Sequence, residues 1–323
     1  MQGRADGSQN TKLHAQHLSA VDLEIANNRG DAVVTGISFD VVPGQFVGVV
    51  GETGSGKSVV LKAMLALLPE GLYVRHGQLW LDGERIPIGD KRHEGLLGHR
   101  LGFVPQDPLS SLNPVRTVYS QAKELVIKGR RTTHEQIAEA MKKAGLDDPG
   151  SVIFKYPHEL SGGLRQRVLI GLALIQSPKY IFCDEGTTAL DVIVQQAVMK
   201  TLRHAVDSLG VGLVFVSHDI ALIGAFADQM LVMYGGRAVE TGPAREVLLR
   251  PKHPYTKALL DAEPKMEVGR IPEPIPGNVP PPGRRPRGCI YSTRCRNRQS
   301  KCDVDDPPMT QEHDRRYACW FPV

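Results

Sequence analysis

The sequence predicts an α/β protein: a parallel sheet covered by helices on both faces, with a helical subdomain inserted and a C-terminal extension appended. Three observations predict it. Unbroken apolar runs at Phe46-Val47-Gly48-Val49-Val50, Tyr180-Ile181-Phe182-Cys183 and Leu213-Val214-Phe215-Val216 have the composition of strands buried on both faces. Each run is followed by polar residues and then a helical pattern, the alternation that builds a parallel sheet. The segment 108–176 instead carries helical patterns at 118–128, 134–144 and 163–175 with no strand between them.

Along the chain, residues 1–17 are polar and lack periodicity, so they read as a disordered tail. Val21, Leu23 and Ile25 then alternate with Asp22 and Glu24, and Ile37, Phe39 and Val41 alternate with Ser38 and Asp40. Both patterns are strands with one wet face. Pro43-Gly44 marks a turn before the first buried strand, and a helical pattern covers 57–68. The core is expected to span 18–250. Beyond it Pro272, Pro274, Pro276, Pro280, Pro281, Pro282 and Pro286 make an extended linker within a 251–323 extension.

Composition narrows the class. The chain has 323 residues, 41% hydrophobic and 23% charged, with a net charge of +4. These values suit a globular protein and are too mild to require nucleic acid as a partner. No apolar run approaches the roughly 18 residues that span a bilayer. The first residues lack an apolar stretch of the kind secretory signals need, so a cytosolic location is expected.

Gly51-Glu52-Thr53-Gly54-Ser55-Gly56-Lys57-Ser58 fits the phosphate-loop pattern G-x-x-x-x-G-K-[ST] at every position, and Val59 continues the helix it opens. The glycines let backbone N–H groups turn inward around phosphate oxygens, the helix start adds positive potential, Lys57 reaches the outer phosphates and Ser58 offers a hydroxyl to Mg2+. Such a loop needs an acidic partner at the end of a neighbouring buried strand. Asp184 supplies it, and Glu185, one residue on, is placed to polarise an attacking water.

Leu160-Ser161-Gly162-Gly163-Leu164-Arg165-Gln166-Arg167 opens another helix with a second anion cradle. Two cradles in one chain make sense if the second completes a partner chain's phosphate site. Here the sequence resembles the ATP-binding cassette (ABC) ATPases, whose signature is this LSGGQ-type motif, over about 18–264. The resemblance implies a P-loop NTPase core with an antiparallel β subdomain and an inserted helical subdomain. It also implies that Gln106 touches Mg2+, that Ser161, Gly162, Gly163 and Gln166 contact the partner site's ATP, that Ala189-Leu190-Asp191 forms the loop crossing the dimer interface, and that His218 acts with Glu185 in hydrolysis.

Gln106-Asp107-Pro108-Leu109-Ser110-Ser111-Leu112-Asn113-Pro114, Tyr156-Pro157-His158-Glu159 and His253-Pro254-Tyr255-Thr256 are similar to stretches of the oligopeptide/dipeptide/nickel importer ATPases. That likeness implies peptide uptake powered by ATP and Mg2+. The implied partners are a homologous second ATPase subunit, two transmembrane permease subunits and an extracytoplasmic substrate-binding protein, at the cytoplasmic face of the plasma membrane. A nickel-chelate, glutathione or oligosaccharide importer of the same family is the alternative, and a soluble ABC ATPase acting on nucleic acid a more distant one. Two departures stand out: Gly186 replaces the usual proline, and no adenine-stacking aromatic occurs at 26–28.

Cys289, Cys295, Cys302 and Cys319 crowd the C-terminus, and seven basic residues with no acidic one lie between Arg284 and Lys301. Four thiolates would satisfy Zn2+ or a 4Fe-4S cluster. An idle basic tail and a patch for lipid or nucleic acid are the other readings. Resemblance to the D-type subunit of dipeptide permeases tips the expectation toward a structural 4Fe-4S cluster, and Cys183 is expected to be a small buried apolar residue.

Overall fold

The computed structural model describes residues 17–127, 129–185, 191–263 and 273–323. The polar tail 1–16 and Gly186, Ala189, Leu190 and Pro272, singled out above, lie outside the described residues. The chain divides into two compact units. One comprises residues up to Val42, Gly48–Glu94 and His218–Val323; the other comprises Pro43–Val47 and Gly95–Ser217. Among the described residues no helix is long and apolar enough to cross a membrane.

In the first unit the strand Leu18–Asn27 lies between the antiparallel strands Ala32–Val41 and Leu72–Leu81, with Glu84–Ile86 on the outer side of the latter. Its register sets Ala20 opposite Phe39 on one side and Leu79 on the other. Leu18, Leu23, Ile25, Val34 and Ile37 are buried and form the core face, whereas Val21 is only half-buried where the register shifts before Glu24. The strand Gln229–Tyr234 pairs antiparallel with Arg237–Pro243, which in turn pairs with Arg315–Tyr317, and Thr310–Glu312 closes that edge. The C-terminal extension therefore continues a sheet of the core.

Glu240 carries much of that connection. It is fully buried, accepts from the N–H groups of Lys252 and His253 at 2.9 Å each, and is bonded to the Arg315 guanidinium. A buried carboxylate with these donors is satisfied, whereas removing Arg315 would strand its charge. His253 caps the helix Pro254–Ala262 by accepting from the Tyr255 N–H at 3.0 Å. Burial lowers its pKa to about 3, only partly opposed by a bond to the backbone of Ala318. His93, bonded to Met64 O and to the Gly89 N–H, is lowered for the same reason.

Both histidines are held neutral when folded and take up protons on unfolding, so their contribution is complete above about pH 6.5; that of His253 is lost as pH falls toward 3, and that of His93 falls in the same direction. At pH 5 the loss from His253 alone is about 2 kcal/mol. Thermal melts at pH 7.5 and pH 5 are expected to show this loss, and His253→Asn, which keeps a capping side chain, is expected to reduce it. An equal fall in Tm for both proteins would count against this account.

In the second unit Tyr180–Asp184 is the central strand, flanked in parallel by Leu101–Val104 and Gly212–Ser217. Gly102 stands opposite Ile181, and Val214 opposite Phe182. Every residue of Tyr180–Asp184 and Gly212–Ser217 is buried, as the unbroken apolar runs require. The helices His134–Lys143, Gly162–Leu174 and Val192–Leu209 belong to the same unit. The Thr133 side chain accepts from the Gln136 N–H and the Gln136 side chain answers at the Thr133 N–H, a complete capping box.

Two expected helices are shorter than their patterns: the one read over 57–68 ends at Met64. The segment read as helical over 118–128 forms Val118–Ala122 and then a small hairpin in which Val126 pairs with Arg131 and Ile127 with Arg130. Gly129, at φ 77°, takes the left-handed turn that a helix cannot include. Thr132 closes the base by donating its N–H and hydroxyl to Leu125 O. Apolar spacing cannot distinguish a fraying helix from so short a hairpin.

Candidate functional site

The phosphate loop lies wholly in the first unit, between the end of the buried strand Phe46–Val50 and the helix Lys57–Met64. Two of its glycines are required by geometry. A Cβ on Gly51 would stand 2.2 Å from Met233 O, so only glycine lets the loop pass that carbonyl. Gly56 caps the helix in the left-handed region at φ 94°. The first turn of this helix carries no acidic side chain of its own, which leaves its positive end suited to an anion.

Lys57 is only 4% exposed and donates to Gly51 O at 2.7 Å and Glu52 O at 3.0 Å. Ser55 is buried, its N–H bonded to Glu52 O and its own carbonyl accepting from the Gly236 N–H. Thr53 and Gly54 are exposed, and Ser58 and Val59 are half-buried. These features fit a nucleoside triphosphate: a buried ammonium, a helix start with no acidic side chain in its first turn, and a loop tied down by the Gly236 N–H. His218, exposed, lines an open cleft together with Glu52, Thr53, Glu263, Gly277 and Asn278. Burial raises the pKa of the Glu263 carboxyl, and the charge of Asp219 adds to it.

The sequence reading missed what holds Glu52. Arg294, from the C-terminal extension, grips the Glu52 carboxylate with both guanidinium arms at 2.7 and 2.9 Å, and the Tyr255 hydroxyl accepts from the Glu52 N–H at 2.8 Å. A signal was present: an acidic side chain inside an anion-binding loop requires a cation, and the tail is rich in arginine.

The second unit carries the other predicted residues. Asp184 is buried at the end of its strand. Glu185 follows at φ 46°, a left-handed conformation that costs a non-glycine residue roughly 1 kcal/mol or more, and its N–H is held by Val216 O. The Gln106 amide donates to Glu185 Oε2 at 3.0 Å, so two residues that the motifs assign separately meet here. Ser161 is exposed and caps the helix Gly162–Leu174 by accepting from the Leu164 N–H. Gly162 and Gly163 are half-buried, and Gln166 is buried within the unit. Asp191 caps Val192–Leu209 beside the exposed Val192 and Ile193.

The expected metal cluster is not borne out. Cys289, Cys295, Cys302 and Cys319 line one small cavity with His253 and Phe321, yet among the described residues no group of three or more His, Cys, Asp or Glu could hold a metal ion. All five cysteines are free. Burial pushes Cys289 and Cys319 up to about 11 and also raises Cys295, which favours neutral thiols over the thiolates that bind metal. The segment is held by its own backbone bonds, Cys289 N–H to Cys302 O at 2.9 Å and Ser292 N–H to Cys289 O at 3.0 Å. The 4Fe-4S assignment, and the Zn2+ alternative with it, are therefore withdrawn. Cys183, fully buried, is raised by burial and by the charge of Asp184.

Residues 34–188 match the family described as ABC transporter, and residues 239–302 match the oligopeptide/dipeptide transporter C-terminal region. The dipeptide transport ATP-binding protein of Escherichia coli (strain K12) is 37% identical over 295 residues, covering 89% of this chain and 90% of that one. Its namesake from Bacillus subtilis (strain 168) is 34% identical over 296 residues, covering 89% and 88%. Among solved structures, cbiO1 from Clostridium perfringens, part of an ABC transporter complex, superposes with a TM-score of 0.64 at 26% identity over 71% of this chain and 89% of that one. An ATP-binding cassette solved as a dimer in a post-hydrolysis state with ADP and phosphate has the same fold, with a TM-score of 0.60 at 24% identity over 71% of this chain and 99% of that one. A phosphate loop built on a buried strand, an LSGG helix start and a matching C-terminal region thus agree with relatives alike over most of their length: the chain belongs to the ATP-binding subunits of ABC transporters, in the oligopeptide/dipeptide transporter family.

Proposed function

We propose that this chain is the ATP-hydrolysing subunit of an importer for dipeptides or short peptides, working peripherally at the cytoplasmic face of the membrane beneath two permease subunits. The observation that carries the reading is the phosphate loop, with Lys57 buried among the carbonyls of its own loop at a helix start whose first turn has no acidic side chain. The names and extent of the relatives support the peptide class. A homologous ATPase subunit completes the pair, and an extracytoplasmic binding protein delivers the substrate.

Each residue then has a role. The loop 51–59 binds the triphosphate, and Ser58, Gln106 and Asp184 supply the oxygen ligands for Mg2+, which neutralises phosphate charge when bound. Glu185 orients and polarises the attacking water, and His218 contacts the terminal phosphate. Ser161, Gly162 and Gly163 present N–H groups to the partner's nucleotide, with Gln166 packed behind them, and Asp191 lies at the interface between the two ATPases. Closure on ATP moves the permease subunits, and hydrolysis releases them. The antiparallel sheet, the helical segment and the cysteine-containing extension are subdomains of this one machine.

The test is uptake. Deleting the chain is expected to abolish uptake of labelled dipeptides, and tagged protein purified from membranes is expected to bring integral-membrane subunits with it. Unchanged uptake, or recovery with nucleic acid in place of membrane subunits, would overturn the reading.

A further inference from the structure

Arg294 belongs to the C-terminal extension, 242 residues from Glu52 in the sequence, and its side chain is 4% exposed. Its five N–H groups are matched by five bonds. Nη1 donates to Glu52 Oε2 and to the Tyr234 hydroxyl, Nη2 to Glu52 Oε1 and Ile275 O, and Nε to Pro276 O at 2.6 Å. The guanidinium also lies 5.6 Å from the centre of the Tyr234 ring. A planar cation with every donor engaged in one direction each is held in a single orientation.

What it holds is the phosphate loop. The Glu52 backbone is held at its N–H by Tyr255, and its carbonyl is one of the two acceptors of Lys57. The Glu52 carboxylate is the single negative side chain in Gly51–Ser58, placed where a triphosphate would be repelled by it. Arg294 cancels that charge and fixes the residue whose carbonyl steadies Lys57. Through Ile275 O and Pro276 O it also anchors the segment whose Gly277 and Asn278 line the cleft containing Thr53 and His218.

We infer that Arg294 is a positioning residue for nucleotide binding: it clamps the phosphate loop through Glu52 and makes the C-terminal extension a working wall of the ATP site. The inference rests on the reading that this loop binds ATP. It assigns the extension a part in the energy-converting step in addition to continuing a sheet.

The test is MgATP binding to the full-length chain by calorimetry. Arg294→Ala is expected to weaken binding about tenfold or more, by loss of a charge-assisted clamp and exposure of the triphosphate to an unpaired carboxylate. Arg294→Lys, which restores the charge without the fork, is expected to recover part of that loss. Combining Arg294→Ala with Glu52→Ala is expected to bind no more weakly than Arg294→Ala alone, because the two residues act as one unit. Wild-type affinity in a folded Arg294→Ala protein, or effects of the two substitutions that multiply, would overturn the inference. If Arg294→Ala does not fold, Arg294→Lys decides: binding weaker than wild type by about threefold or more supports the clamp, and unchanged binding refutes it. Lys57→Ala is the control that separates the two layers. If it binds MgATP as the wild type does, the nucleotide reading fails first, whatever Arg294 does.

Discussion

Lys57→Ala is expected to reduce ATP hydrolysis at least about a hundredfold and to abolish transport. The ammonium is buried and held by two carbonyls of its own loop, so it is fixed in place beside the helix start. Two charge-assisted bonds to phosphate oxygens are worth about 3 kcal/mol or more together, and each 1.4 kcal/mol is a factor of ten. Lys57→Arg is not expected to rescue, because a longer, planar group does not fit a site enclosed by Gly51, Glu52 and Ser55. Phosphate release and MgATP calorimetry check both variants. Hydrolysis within a few-fold of wild type would remove this lysine from the site.

Glu185→Gln is expected to lower hydrolysis about a hundredfold or more while leaving ATP affinity intact, the range seen when a proton-accepting group is lost. The substitution is nearly isosteric. A carboxamide oxygen can still accept from Gln106, and the Glu185 backbone bond to Val216 O does not involve the side chain. The loss would therefore report chemistry in place of collapse. ATP without turnover is expected to accumulate the closed pair of ATPase subunits, visible as an ATP-dependent shift in size on gel filtration. Undiminished turnover would assign water activation elsewhere, whereas lost ATP binding would make Glu185 structural.

Gly51–Ser58, Asp184, Ser161 and Asp191 were all legible, because strand, loop and helix start are specified by contacts a few residues apart. A five-residue apolar run followed by a glycine-rich loop leaves the backbone little choice. The burial of Tyr180–Asp184 and Gly212–Ser217 followed in the same way. Helix length after Val118 was not legible, because the competing hairpin depends on a single left-handed glycine.

The cysteine tail marks a different limit. Four cysteines with basic neighbours suggested a cluster, yet although all four line one small cavity, among the described residues no group of three or more His, Cys, Asp or Glu could hold a metal ion. Burial among aromatic and apolar groups works against the thiolate that the composition suggested.

By itself the sequence determined the α/β class, the order of the phosphate-binding motifs and the family, since these depend on local backbone geometry and periodicity. Only the tertiary structure decided which distant groups meet: the charges of Arg294 with Glu52 and Arg315 with Glu240, and the amide of Gln106 with the carboxylate of Glu185. A buried ion needs its partner within a few ångströms, and that distance is set by how the chain packs on itself, however many residues lie between.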